Sequence, residues 1–380
     1  MSKISVIGTG FIARGFINLL SDHPHHTLKK ILTRSTIEKR KDFPCNENMT
    51  NNLEELISES DLIVECSGDA IYACETIDKI LKAGIPVVTM NSEFHVTVGS
   101  YFVDKGLVTE AEGDQPGVLA MLHEEAIAMG FKPLVYGNIK GYLNHHPTLE
   151  DMEYWGNKSG ISLDMVTSFT DGTKVQIEQT FIANAFHATI AQDGLLGIAD
   201  DDTLHGGTIL AQKAKEIGTP ISDYVLSSTL KQGVFIAAEH NTNQADALRY
   251  YKMGDGPYYV LDRPYHFCHL EMFKTVDRVL KGGGILLDNS SHPTISTTTI
   301  AKRNLKPGET IVKGIGSFDV RGIAVKIKEH KGHVPIGLMK NAIVKRHISE
   351  GEELTFDDVE LPDSMAVDIW KHIEKRVCEG

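Results

Sequence analysis

Along the first 140 residues, short apolar-rich runs alternate with stretches in which apolar residues return every three or four positions. Apolar-rich runs such as those at 3–7, Leu28–Leu32 and 61–65 predict strands covered on both faces. The 3.6-residue stretches predict helices laid over them, near Phe11–Leu20, Leu53–Ser58 and Ala70–Ala83. Gly84 follows the last of these, where a left-handed residue closes a helix. A further strand is expected at 86–90. Strand and helix in alternation predict an α/β architecture on a parallel sheet.

After residue 140 the pattern changes. Val175–Ala191 and Leu204–Ile217 read as helices joined by Asp- and Gly-rich turns, and Val225–Ala238 reads as β-rich. This predicts an α+β substrate domain over 141–300. The stretch 301–380 is β-rich and broken by turns at Lys306-Pro-Gly-Glu309, Gly314-Ile-Gly316 and Ser349-Glu-Gly-Glu352, with a closing helix near Ala366–Arg376. The predicted division is therefore 1–140, 141–300 and 301–380.

Between the first strand and the first helix stands Gly8-Thr-Gly10-Phe11-Ile12-Ala13. Gly8 permits the tight turn, Gly10 lets a phosphate reach backbone N–H groups, and Ala13 lets the helix lie close on the sheet. The helix N-terminus adds its attraction for an anion. A Gly-x-Gly-x-x-Ala alone is weak; placed between strand and helix it predicts a Rossmann-type sheet holding a dinucleotide, against a plain turn with no ligand. Gly8, Gly10, Phe11 and Ile12 are the expected pyrophosphate contacts.

The second strand ends in Thr33-Arg34-Ser35 where an NAD site usually places Asp or Glu. A guanidinium among hydroxyls suits a 2′-phosphate. NADP(H) is the expected cofactor, with NAD(H) open; the alternative is that Arg34 is a solvated strand-end cation. Cys66-Ser67-Gly68 and Asn91-Ser92-Glu93 fall at carboxyl strand ends, so Ser67, Gly68, Asn91 and Glu93 are expected near the nicotinamide.

Composition narrows the class. The chain has 380 residues, 41% hydrophobic and 23% charged, as in soluble globular proteins. A net charge of −13 argues against nucleic acid or an anionic membrane as main partner, though not against an anionic substrate. Five scattered cysteines without a Cys-x-x-Cys pair fit a reducing compartment. No signal-like segment precedes the first strand and no apolar run reaches the ~18 residues of a membrane span, so a cytoplasmic protein is expected.

Three segments concentrate polar groups beyond the needs of packing. Gly137-Asn138-Ile139-Lys140-Gly141 follows an apparent strand at Pro133–Tyr136; Lys140 there can polarise a carbonyl or bind phosphate, or be a surface lysine. In Asp171-Gly172-Thr173-Lys174, continued to Glu178 and Asn184, Lys174 and Glu178 stand four apart on one helical face. The plain reading is an exposed ion pair. The apolar residues around them predict burial, which favours Lys174 as proton donor or clamp on a reacting oxygen. In Arg263-Pro264-Tyr265-His266, Arg263 can grip an anion and His266 can serve as acid or base. Lys174, Glu178, His266 and Lys140 are the expected catalytic set, with Arg263, Asn184, Asp171 and Thr173 on the substrate. His266-x-x-His269 with Glu271 has metal-like spacing but no second ligand cluster. No metal ligands are assigned, and a divalent ion stays open.

Glu65-Cys66-Ser67-Gly68 and the glycine turn resemble the N-terminal domain of homoserine dehydrogenases. The segments 167–174, 137–141 and 263–266 are similar to homoserine-dehydrogenase-like reductoisomerases, some of which convert 1-deoxy-D-xylulose 5-phosphate to methylerythritol 4-phosphate. The segments 305–309 and 338–355 resemble a SAF domain, found with enzymes of sugar acids. The resemblance implies hydride transfer from NADPH to a phosphorylated or nucleotide-linked sugar-like carbonyl, after an α-ketol rearrangement in some relatives. It implies that Lys174, Lys140 and Arg263 hold phosphate and developing alkoxide, while Glu178 and His266 move protons. By analogy it also implies a homodimer or homotetramer. The competing readings are a homoserine-type dehydrogenase and a nucleotide- or sugar-binding sensor without turnover.

Overall fold

In the computed structural model, which describes residues 1–379, the N-terminal strands are β1 (Ser2–Ile7), β2 (His26–Leu32), β3 (Met49–Thr50), β4 (Leu62–Glu65), β5 (Val87–Thr89) and β6 (Val108–Glu110). They form one parallel sheet in the order β3-β2-β1-β4-β5-β6. This is the doubly wound order, with its switch point between β1 and β4. Successive side chains serve opposite faces. Ile4 and Val6 pack with Ala13, Phe16 and Ile17 of α1 (Phe11–Ser21). Ile7 and Ile63 pack with α2 (Leu53–Ser58), α3 (Ala70–Lys82) and α4 (Ser92–Val98). Burial on both faces is why these strands read as apolar-rich runs.

A second, mixed sheet contains β7 (Lys132–Lys140), β8 (Ile198–Ala199), β9 (Ile221–Leu226), β10 (Gly233–Glu239) and β11 (Tyr258–Arg263), ordered β11-β10-β7-β9-β8. The strand expected at Pro133–Tyr136 thus runs on through Lys140, and residues 132–140 lie with the second sheet rather than the first. One face carries α5 (Gln115–Ala128); α6 (Leu149–Ser159) and α7 (Leu163–Thr170) lead into α8 (Thr173–Ala185), which lies on the same face. The opposite face is covered by α9 (Thr203–Ile217), and α10 (Ala245–Tyr250) follows β10. The helix α11 (Met272–Leu280) returns to the first layer, where Met272, Val276 and Val279 join the core of α1.

The remaining strands are β12 (Ile295–Ala301), β13 (Thr310–Lys313), β14 (Val320–Lys326), β15 (Lys340–Val344) and β16 (Val359–Glu360). They pair as two small antiparallel sheets, β12-β14 and β13-β15-β16. The last helix, α12 (Met365–Glu379), packs on α3 and α4. Because β12 and β14 cover the free side of α8, that helix is enclosed by two sheets and is buried almost all round.

The helix expected over Val175–Ala191 ends at Ala185. The apolar residues beyond it pair instead with the sheet: Thr189 N–H donates to the Pro220 carbonyl at 2.8 Å, and Ser222 N–H donates to Thr189 at 2.9 Å. His187, with φ +52°, makes the turn. Among the described residues no helix is long and apolar enough to cross a membrane.

Candidate functional site

The carboxyl ends of β1, β2 and β4 open into a cleft of about 820 Å³ whose far walls come from the second sheet, α7, α8 and the C-terminal strands. At its nucleotide end, Gly8 has φ +113°, and a Cβ there would lie 2.6 Å from the Cys66 carbonyl oxygen. Only glycine lets β1 turn into α1 against the end of β4. Gly10 caps α1 with no side-chain acceptor, and a Cβ on it would meet nothing within 4 Å. The first-turn N–H groups have no intrahelical partner and face open space beside Phe11 and Ile12. These residues fit a dinucleotide pyrophosphate.

Arg34 lines the cleft, lies 4.4 Å over the Tyr72 ring and donates to Asp69 Oδ2 at 2.7 Å. Thr33 and Ser35 stand behind it: Thr33 Oγ1 accepts from Ser35 N–H at 3.1 Å, and Ser35 Oγ accepts from Arg40 at 3.3 Å. Ser67 and Gly68 line the cleft just beyond the end of β4. Asn91 is buried behind them. Its Nδ2 donates to Glu65 Oε2 at 3.1 Å, while Glu65 Oε1 accepts from Ser67 N–H at 2.6 Å. Asn91 thus braces the turn that presents Ser67.

The other half of the cleft gathers Lys140 from β7, Lys174 and Glu178 from α8, and His266. Glu178 Oε2 accepts from Asn138 Nδ2 at 3.0 Å, and the same amide nitrogen donates to Gln115 Oε1. That orients Gln115, whose Nε2 contacts His266 Nε2 at 3.3 Å. An amide nitrogen only donates, so His266 Nε2 accepts and its Nδ1–H donates to the Gly113 carbonyl at 3.3 Å. A directed chain therefore links Glu178 to a neutral histidine, and burial lowers the His266 pKa further.

Lys174 Nζ donates to Glu93 Oε1 at 3.2 Å and lies 3.6 Å from Asp114 Oδ2. Burial works against its charge. The carboxylates of Asp114, Glu93, Glu178 and Glu110 outweigh burial and hold Lys174 well above the usual lysine range. Burial pushes Glu178 up to about 7, with Lys140 pulling it down and Asp114 pushing it up. Burial also lowers Lys140. Two groups are thus tuned toward neutrality beside one fixed cation.

The structure does not bring the expected substrate set into this cleft. Arg263 pairs with Glu112 at 2.8 Å and with Glu271, all three largely buried. Asp171 pairs with Lys302 at 2.8 Å, and Thr173 Oγ1 accepts from Gly322 N–H at 3.0 Å; both tie α8 to the C-terminal strands. Asn184 Oδ1 accepts from the N–H groups of Thr294 and Ile295 at 2.9 and 3.0 Å, doing the same further along. His269 lies against Gly15, away from His266, and no group of three potential ligands occurs among the described residues. The sequence pattern assigns no role to Asp114 or Gln115, and Asn138 enters only as part of the Lys140 segment. The Gly113-Asp-Gln-Pro-Gly117 turn ahead of α5 was the available signal for the first two, since Pro near the start of a helix marks its N-terminus.

The family model described as Oxidoreductase DRL, catalytic domain, matches residues 113–272. That described as Homoserine dehydrogenase, NAD binding domain, matches residues 8–99. No curated protein matches the chain in sequence. Among solved structures, a putative myo-inositol dehydrogenase from Sinorhizobium meliloti 1021 is 9% identical with a TM-score of 0.41, covering 76% of this chain and 92% of that one. A UDP-N-acetylglucosamine 3-dehydrogenase from Acidithiobacillus ferrooxidans is 10% identical with a TM-score of 0.42, covering 76% and 92%. A myo-inositol dehydrogenase from Corynebacterium glutamicum ATCC 13032 is 11% identical with a TM-score of 0.42, covering 75% and 90%. The two family models place a nicotinamide-nucleotide domain ahead of an oxidoreductase catalytic domain, the make-up of an NAD(P)-dependent oxidoreductase.

Proposed function

We propose that the protein is an NADP(H)-dependent oxidoreductase that reduces the carbonyl of a phosphorylated or nucleotide-linked sugar-like substrate. The observation that supports this most is the convergence of Lys174, Glu178, Lys140 and His266 on the cleft that the glycine turn opens. Bound nicotinamide supplies or accepts the hydride. The chain's own residues then have to stabilise the oxygen and move one proton.

Lys174 suits the first task. An ammonium held well above its usual pKa is a poor acid and a good fixed charge, so it acts as the clamp on the developing alkoxide. Glu93 and Asp114 keep it charged and aimed. Glu178, titrating at about 7, matches the second task, because proton transfer is most effective near the working pH. Asn138 fixes the Glu178 carboxyl, and Gln115 fixes His266. Arg34 beside Tyr72 supports the choice of NADP(H) over NAD(H). Rearrangement of the carbon skeleton before reduction is the finer form of this reading, and rests on the resemblance at 167–174 and 263–266.

The test is NADPH oxidation by the purified protein, followed at the nicotinamide absorbance. The panel holds phosphorylated ketoses, nucleotide-linked keto-sugars and aspartate semialdehyde. Turnover on a sugar-type member is expected, and its loss in Lys174→Met. Turnover on aspartate semialdehyde alone would make it a homoserine-type enzyme. Tight NADPH binding with no turnover on any member would replace the enzyme reading with a nucleotide-binding one.

A further inference from the structure

The C-terminal strands reach the same cleft, and what they bring is positive charge. Antiparallel β13 and β15 place Lys313 directly opposite Lys340. Both line the cleft, as do Arg34 and Asp69. Like charges directly opposite on a sheet destabilise it, since their Cβ atoms stand only about 5 Å apart. Neither lysine is turned out to water alone. Lys340 Nζ donates to Asp69 Oδ2 at 2.6 Å, and Lys313 donates to Asp164 of α7. Asp69 is the same carboxylate that holds Arg34. Arg34 and Lys340, from two separate parts of the chain, therefore share Asp69, and Lys313, in register with Lys340, lines the same cleft on Asp164.

From this we infer that Lys313 and Lys340 complete, with Arg34, a subsite for a phosphate monoester. The C-terminal sheet is then a working wall of the nucleotide cleft. The inference rests on the reading of the cleft as a nicotinamide-nucleotide site. A dianionic phosphate relieves the repulsion between the paired lysines, and it offers oxygens to all three cations at once. Carboxylates Asp69 and Asp164 hold the side chains in place meanwhile. Asp69 is itself fixed as the cap of α3, its Oδ1 accepting from Tyr72 N–H at 3.1 Å, so Arg34 and Lys340 share a rigid base.

Two sources carry such a phosphate: the 2′-phosphate of NADP(H) and the phosphate of a substrate. Arg34 at the end of β2 favours the first. The experiment titrates wild type, Lys340→Ala, Lys313→Ala and Arg34→Ala with NADPH and NADH by nicotinamide fluorescence. It then titrates the free and the NADPH-loaded proteins with inorganic phosphate by calorimetry. For a cofactor 2′-phosphate, each variant weakens NADPH by roughly tenfold or more, the scale of one lost charge-assisted hydrogen bond. NADH stays within about twofold, which also shows that the variants are folded. Inorganic phosphate then binds the free wild type and not the loaded one. For a substrate phosphate, the NADPH-to-NADH ratio is unchanged, and loaded wild type takes phosphate where Lys313→Ala and Lys340→Ala do not.

An unchanged ratio with no phosphate bound to wild type, free or loaded, overturns the proposal and leaves the lysines as a latch between sheets. Equal loss of NADPH and NADH in Lys340→Ala overturns it too, as a structural effect. If wild type binds neither nucleotide, the cofactor reading itself fails. Phosphate binding by the free protein then decides the subsite separately.

Discussion

Glu178→Gln separates charge from shape in the buried cluster. The glutamine keeps an oxygen for Asn138 Nδ2, which lies 3.0 Å from Glu178 Oε2, and removes only the ionisation. Burial raises the Glu178 carboxyl from 4.5 to about 7. Between those values the folded protein holds a proton that the unfolded chain has released, so stability falls as pH rises through this window and levels off above it. The gap corresponds to about 3 kcal/mol at ~1.36 kcal/mol per pH unit. The variant does not suffer this loss. It is expected to match or trail the wild type at pH 5 and to gain on it by up to about 3 kcal/mol at pH 8. Lys140 loses a counter-charge in the variant, which offsets part of the gain. In thermal unfolding the shift in relative Tm is up to roughly 4 °C for a chain of 380 residues, at ~2.1 cal/mol/K of unfolding entropy per residue. The assay is a set of melts of both proteins across pH 5–8.5. The same group sets a limb near pH 7 in kcat/KM for reduction, which needs the protonated carboxyl, and that limb disappears in the variant. A Tm difference that is constant across pH would refute the reasoning, because it would mean that Glu178 stays ionised in the fold and cannot carry the proton.

Lys174→Met is expected to lower kcat by at least about a hundredfold while NADPH still binds, the scale of one lost electrostatic contact to a transition-state oxyanion; steady-state kinetics and a nucleotide titration check it. Gly8→Ala is expected to lose nucleotide binding and about 1–3 kcal/mol of stability, because a Cβ at φ +113° would press on the Cys66 carbonyl. Gly10→Ala, with open space around it, should melt like wild type and bind nucleotide more weakly. Arg263→Ala is expected to lower stability, by up to about 3–5 kcal/mol as an uncompensated buried charge and by less where Lys274 serves Glu112 and Glu271 in its place. Its substrate KM should stay that of wild type; a raised KM with unchanged stability would return Arg263 to the substrate site.

What the chain disclosed and what it withheld follow the range of the interactions involved. The glycine turn, Arg34 and the alternating strands and helices are local patterns, each contained within a few residues, and the parallel sheet came from them directly. Lys174 and Glu178 were legible for the same reason, being one helical turn apart in a helix too apolar to be exposed. The expected substrate residues show the limit of that logic. Thr173 and Asn184 in the same helix, and Asp171 just ahead of it, are buried polar groups, and burial alone does not say whether a ligand or another strand satisfies them. Here Lys302, Gly322, Thr294 and Ile295 do so, from segments more than a hundred residues away.

Separation along the chain also explains why Asp114 and Lys340 carry no local signal. Each matters through a partner on another layer, Lys174 in one case and Asp69 in the other. Nothing in the spacing of residues 305–345 says that β13 and β15 face a cleft whose Asp69 lies 271 residues upstream of Lys340 in the chain. The enclosure of α8 supplies the missing link. A helix covered by the second sheet on one side and by β12 and β14 on the other fixes the C-terminal strands relative to Lys174 and Glu178, which it carries. Lys174 and Glu178 therefore cannot be positioned without the same strands that bring Lys313 and Lys340 to the cleft. On this architecture the C-terminal region is a structural condition of the cleft, and the charge it adds is placed by the same packing that holds α8.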